Sequence, residues 1–244
     1  MSPEHVLVPF GVELRDDVWR VARNIHPPMQ TPPRHLQRGG RFDDLVDDET
    51  DEIADFGVLY VGETPTSTFL ETLHLYRRRL DTARNVADNI IVEAETRQSL
   101  LNAEEMSGRV PNQWMDVRVL AHGRLVTGAP VFDLAKPAAV QAVRESLEPS
   151  LIALGLEDLD FSHVLGDNRD LTRAISRWIW SMESKAGQPL FAGIRYRSRF
   201  DPESICLALF EDRYNVDGDI DIQPITPETP GLNEAASVLR LEIP

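Results

Sequence analysis

Apolar positions in this chain change their spacing several times, and each change predicts an element. Residues 17–23, DVWRVAR, set Val18, Trp19 and Val21 in a short run of strand character. The next twelve residues, NIHPPMQTPPRH, hold four prolines and predict loop or extended chain. Residues 57–73, GVLYVGETPTSTFLETL, predict strand, turn and helix. Val58, Leu59, Tyr60 and Val61 form an apolar run, and Gly62-Glu63-Thr64 breaks it. Thr64 suits an N-cap and Pro65 a first helical residue. Phe69, Leu73, Tyr76 and Leu80 then recur at helical spacing, which gives one apolar face and a helix ending near Leu80. At about 100° per residue, Glu71 falls on the other side, with Ser67, His74 and Arg78.

Further along, NIIVEA reads as a strand and ETRQSLLNAEEM as a helix, both within residues 81–113. Residues 114–134 carry strand-like runs interrupted by His122-Gly123 and Gly128. Pro137 opens a helix with Val140, Val143, Leu147 and Leu151 on one side. A second helix runs from about Asn168 to Ser184, with Leu171, Ile175, Trp178 and Met182 on one face. Residues 190–196 and 204–210 predict two core strands. From 214 the chain reads as a polar, Pro-rich tail ending in a short helix over LNEAASVLRL. Strands and helices mix without strict βαβ alternation, so the expected class is α+β. No internal repeat or linker divides the chain, and one domain over residues 1–244 is expected, with a core of about 17–211 and residues 212–244 packing on it.

Charge narrows the function. The 244 residues carry 25 Lys and Arg against 40 Asp and Glu, a net charge of −15. A protein that grips a nucleic-acid backbone or an anionic membrane needs a basic surface, so neither is an expected partner. A single small anion needs only a few well-placed arginines. Eight acidic residues in thirteen, over 43–55, predict a solvated surface loop. One cysteine, Cys206, makes no internal disulfide and sits in an apolar run as an inert core residue. The first residues lack a secretory pattern, no apolar run approaches the ~20 residues of a membrane helix, and the cytoplasm is the expected compartment.

Familiar motifs are missing: no dinucleotide-binding or P-loop glycine pattern, no compact metal-ligand cluster, no G-x-S-x-G elbow. Asp217, Asp219, Asp221 and Glu228 occupy calcium-loop positions 1, 3, 5 and 12. Ile222 stands where that loop requires glycine, and Pro224 and Pro227 interrupt it, so a solvated acidic tail is the better reading and no metal is expected. RGGRF at 38–42 offers backbone that a ligand can approach closely, with Arg41 beside it as a phosphate fork or as half of a surface pair. Arg20 alternates with Trp19 and Val21 and lies on the opposite strand face, exposed or partnered. RYRSRF at 195–200 reads as a charged strand end, or as an anion site with the Ser198 hydroxyl beside it.

In order along the chain, VWRVAR with Arg20, GGRF at 39–42, VLYVGETPTSTFLETL with Tyr60 and Glu71, and GIRYRS with Ser198 resemble the RES-domain family, named for its arginine, glutamate and serine. The elements span about 20–210. Phe42-Asp43 departs from the usual Trp-Asn, the acidic run lengthens a usually short connection, and the asparagine common after the last strand is absent from LALFEDR.

The resemblance implies an ADP-ribosyltransferase-like fold with a split β-sheet core and a cleft for NAD. It implies a toxin that consumes NAD by breaking the nicotinamide–ribose bond, with NAD as substrate, no metal, and a helix-turn-helix, Xre-type antitoxin as partner. In that reading Glu71, Ser198 and Tyr60 are catalytic. Glu71 stabilises the oxocarbenium-like transition state, Tyr60 serves the nicotinamide, and Ser198 positions ribose or acceptor. Arg20, Arg41 and Gly40 bind the pyrophosphate. Water, phosphate or a protein side chain remain open as acceptor. The alternatives are a protein ADP-ribosyltransferase with the same cleft, a non-catalytic nucleotide-binding regulator, and an acidic interaction module. A homodimer is the default assembly.

Overall fold

The computed structural model describes residues 8–14, 17–37, 40–44, 54–78 and 107–244. Eight strands, β1 (Gly11–Val12), β2 (Asp17–Arg23), β3 (Val58–Gly62), β4 (Arg118–Thr127), β5 (Val131–Asp133), β6 (Gly193–Arg197), β7 (Ile205–Phe210) and β8 (Tyr214–Pro224), form a sheet in the order β1-β5-β6-β7-β3-β2-β4-β8. β5 and β6 run parallel, and the other neighbours are antiparallel.

The sheet is split in its middle. β2 pairs with β4 along its whole length, from Asp17 to Arg23, and β3 pairs with β7 from Val58 to Gly62. Between β2 and β3 there is one residue pair, Trp19 opposite Gly62. A buried backbone N–H needs a partner. Where β2 has left β3, the N–H of Val21 donates to Thr68 Oγ1 at 2.9 Å, on helix α1 (Pro65–Leu73).

Helix α1 starts as the sequence predicts. Thr64 caps it, and Thr64 and Ser67 form a reciprocal capping box behind Pro65. Ser67 is therefore fully buried, not solvated, while Phe69, Leu70 and Leu73 face the core. The helix ends at Leu73, short of Leu80, and passes into a 3₁₀ turn over His74–Tyr76. Among the other described helices, α2 (Asn112–Asp116) and α7 (Leu232–Leu239) share a core with α1, through Trp114, Leu232, Ala235 and Leu239. Helices α3 (Pro137–Ser146), α4 (Glu148–Ala153), α5 (Phe161–Leu165) and α6 (Arg169–Trp180) cover the β5–β6–β7 half. The expected face of Val140, Val143, Leu147 and Leu151 is buried, though its helix breaks at Leu147.

Three expectations change. The acidic segment is not solvated at its start: Asp43 and Asp44 are each 3 % exposed, and Asp44 accepts the N–H of the exposed Asp55 at 2.6 Å and Arg177 at 3.2 Å. The polar tail supplies β8, a strand of eleven residues at the sheet edge, so its aspartates lie on a strand instead of in a calcium loop. The runs around His122-Gly123 belong to one strand, β4, with an irregularity in its pairing between His122 and Arg124. The expected strand NIIVEA and helix ETRQSLLNAEEM lie outside the described residues.

Candidate active site

A cavity of about 280 Å³ opens at the split, near the low end of the range for small-molecule sites. β2 supplies Arg20 and Val21 to its lining, β3 supplies Tyr60 and Val61, and β6 and β7 supply Tyr196 and Cys206. Thr68, Glu71 and Thr72 come from α1, with His74 just beyond it. Gly40 and Arg41 enter from the loop, Arg169 from the first turn of α6, and Arg199 from beyond β6. Arg20, Gly40, Arg41, Tyr60 and Glu71, far apart in the sequence, thus meet in one place. Ser198 does not line the cavity. It is fully buried, and its Oγ accepts the N–H of Phe200 at 3.3 Å.

Asp43 fixes the loop that carries Arg41. Its carboxylate accepts the Gly40 N–H at 2.6 Å and the Tyr60 hydroxyl at 2.8 Å, and that hydroxyl in turn accepts the Phe42 N–H at 2.8 Å. Burial first, then the charge of Asp43, push the Tyr60 phenol well above its usual range. Tyr60 is a neutral donor spent on Asp43, so the ring is what it offers a ligand. Ser176 on α6 donates to the Phe42 carbonyl at 2.8 Å and ties the same loop to the helix layer. Gly40 is required by this packing, because a Cβ there would lie 2.3 Å from Asp43 Oδ1 and 2.4 Å from the Tyr60 hydroxyl. Gly40→Ala is expected to force the cluster apart, costing about 2 kcal/mol. For a chain of this size that lowers Tm by about 6 °C, checked by thermal unfolding.

The charges around the cavity are unequal and incompletely paired. Arg41 is buried; its Nη2 donates to the Val164 carbonyl, and its guanidinium lies 5.4 Å from the Tyr196 ring and 5.6 Å from that of Phe42. Its Nε and Nη1 are buried with no hydrogen-bond partner among the described residues, as are Arg169 Nη1 and Glu71 Oε1. Arg169 is held below the usual arginine value by burial, then by Arg41. Arg20 donates to the carbonyls of Pro28 and Gln30, which holds the proline-rich loop, and burial lowers it to about 10, still a cation at neutral pH. Arg199 pairs with Asp167 and lies 4.7 Å over the Phe200 ring. Burial pushes the Cys206 thiol well above its usual value, which makes it a poor nucleophile.

Asp43, Arg169 and Arg199 carry much of this arrangement. Asp43 opens an acidic run, and local composition does not set it apart from its neighbours. Arg169, Arg173 and Arg177 recur every fourth residue, a stripe that the apolar face of the same helix overshadows in the sequence. Of the three arginines in RYRSRF, Arg199 reaches the cavity, while Arg195 binds Glu63 and Asp133 at 2.8 and 3.1 Å and Arg197 binds the Pro202 carbonyl.

The fold and the cavity at its split define an α+β protein of ADP-ribosyltransferase-like architecture. The model of the RES domain matches residues 17–228, and the chain belongs to the RES-domain family. It is similar in fold to a chain in the crystal structure of the M. tuberculosis MbcT-MbcA toxin-antitoxin complex. The TM-score is 0.51 at 14% identity, covering 96% of each chain. No curated protein matches the sequence.

Proposed function

We propose that this protein is an NAD-consuming toxin that breaks the nicotinamide–ribose bond and is held in check by a cognate antitoxin. The observation that carries the reading is the set of buried polar atoms left unpaired around one cavity. A carboxylate oxygen of Glu71 and guanidinium nitrogens of Arg41 and Arg169 lack partners among the described residues. Buried groups of this kind are costly unless a ligand completes them. A ligand with a cationic ribosyl-pyridinium and an anionic pyrophosphate meets both needs, and NAD has both.

The chemistry follows from the placement. As the C1′–N bond breaks, its electron pair goes to nicotinamide, which leaves neutral, and positive charge grows on the ribose as in glycoside hydrolysis. Glu71 stabilises that charge. Arg41 and Arg169 hold the pyrophosphate, a task that suits planar guanidinium forks, with Arg20 on the β2 wall. The Tyr60 ring offers the nicotinamide a flat apolar surface. The cavity takes the reacting half of the dinucleotide, and the adenosine half extends beyond it.

The test is to mix purified protein with NAD labelled in its adenosine half, then follow free nicotinamide and the label. Nicotinamide release with the label in ADP-ribose or its phosphate is expected. Label retained on a protein would instead make it a protein ADP-ribosyltransferase, and NAD-induced stabilisation without cleavage would make it a regulator. An antitoxin partner fits the toxin–antitoxin complex of the structural neighbour, and co-expression with an Xre-type antitoxin should suppress NAD loss in cells.

A further inference from the structure

We propose that His74 is the general base of the reaction, its Nε2 taking a proton from the water that attacks C1′ of the ribose. The assignment rests on the NAD-cleaving reading above and names the acceptor that reading leaves open. His74 lies three residues after Glu71, one helical turn on, and both line the cavity. The imidazole Nδ1 is 2.8 Å from the Glu71 carbonyl oxygen. A carbonyl oxygen only accepts, so Nδ1 carries the hydrogen, and in the neutral ring Nε2 holds the free lone pair. The ring is fixed in plane by stacking on Phe200, with centroids 5.1 Å apart and 26° between planes.

The surroundings keep it a base. Burial lowers the His74 pKa most; the Glu71 carbonyl bond and the Glu71 charge oppose this, and Arg199 and Arg169 add to it. Among the described residues these are the charged groups that act on the ring, from α1, from beyond β6 and from α6. The net direction is downward, so the imidazole is neutral at pH 7 and ready to accept a proton.

The step balances. The C1′–N bond breaks with its pair on nicotinamide, a C1′–O bond forms from water, and the water proton goes to Nε2. The imidazolium then returns that proton to solvent, which leaves ADP-ribose, nicotinamide and H⁺.

His74→Asn keeps a donor within reach of the Glu71 carbonyl and removes the base. In phosphate-free buffer we expect kcat for nicotinamide release to fall about 100-fold. KM and NAD-induced thermal stabilisation should stay unchanged. Wild-type kcat should fall as pH drops through the lowered His74 pKa, and that acid limb should vanish in the variant. Added imidazole should restore part of the rate in His74→Ala, which also decides the matter if the Asn variant folds poorly. With active wild type, kcat of His74→Asn within threefold of wild type, or an acid limb unchanged in it, would overturn the role of His74 alone. Wild type that releases nicotinamide only when phosphate is added would overturn this role alone, and wild type that releases none with or without phosphate would overturn this role and the NAD-cleaving reading together.

Discussion

Glu71→Gln should slow nicotinamide release by about 10²–10³-fold and leave the fold at least as stable. Glutamine keeps the shape and removes the charge that faces the breaking bond. Loss of one preorganised electrostatic group of this kind costs about 10²–10³ in kcat. Stability should move the other way. In the empty protein Glu71 Oε1 is buried with no hydrogen-bond partner among the described residues, so its negative charge carries a desolvation cost that an amide reduces. A purely structural glutamate gives the opposite pair of results, namely lower Tm and retained turnover. Kinetics and thermal unfolding on one preparation separate the two, and turnover within threefold of wild type removes Glu71 from the catalytic role.

Arg41→Met should abolish most of the NAD affinity. Methionine fills much of the buried stem's space but takes away the fork, which lies over the Phe42 and Tyr196 rings. Losing a buried charged partner of a ligand costs about 3 kcal/mol, roughly 100-fold in Kd. With NAD at about 100 times the wild-type Kd, the ligand stabilises the wild type by about 2.7 kcal/mol, and the variant by about 0.4 kcal/mol. The readout is the NAD-induced rise in Tm. Arg41→Lys should recover little, because an ammonium is a point charge without parallel donors. An unchanged rise in either variant places the pyrophosphate elsewhere.

Local signals carried the strand–turn–helix around Tyr60 and Glu71. Thr64, Pro65 and the spacing of Phe69 and Leu73 define an element with little help from the rest of the chain. The same periodicity placed Glu71 opposite the apolar face, and the cavity occupies that side. Ser67 shows the limit of such reasoning, since a polar residue on that side proved fully buried once its hydroxyl joined the capping box. β8 carries an alternation of Val216, Ile220 and Ile222 against Asp217, Asp219 and Asp221, but Gly218 interrupts it and most of its residues are exposed, so the segment reads as a polar tail until its pairing with β4 is seen. Asp43 was hidden by its acidic neighbours, because burial of a carboxylate depends on partners such as Gly40 and Tyr60 that local composition does not show. The split of the sheet depends on which strands pair and for how long, which no local pattern records.

The single pair between Trp19 and Gly62 makes the sheet's middle a joint instead of a seam. Elsewhere each strand shares at least two residue pairs with its neighbour, and seven or eight where β4 meets β2 and β8. Here the fastening is one pair and the Thr68 hydroxyl that reaches Val21. A molecule lodged in the gap touches β2 on one wall and β3, β6 and β7 on the other, so it works as a keystone between two half-sheets. Any chain segment that fills the same gap would brace the two halves in the same way. Occupying the site and stiffening the protein are then one event, whether the occupant is a substrate or a blocking peptide.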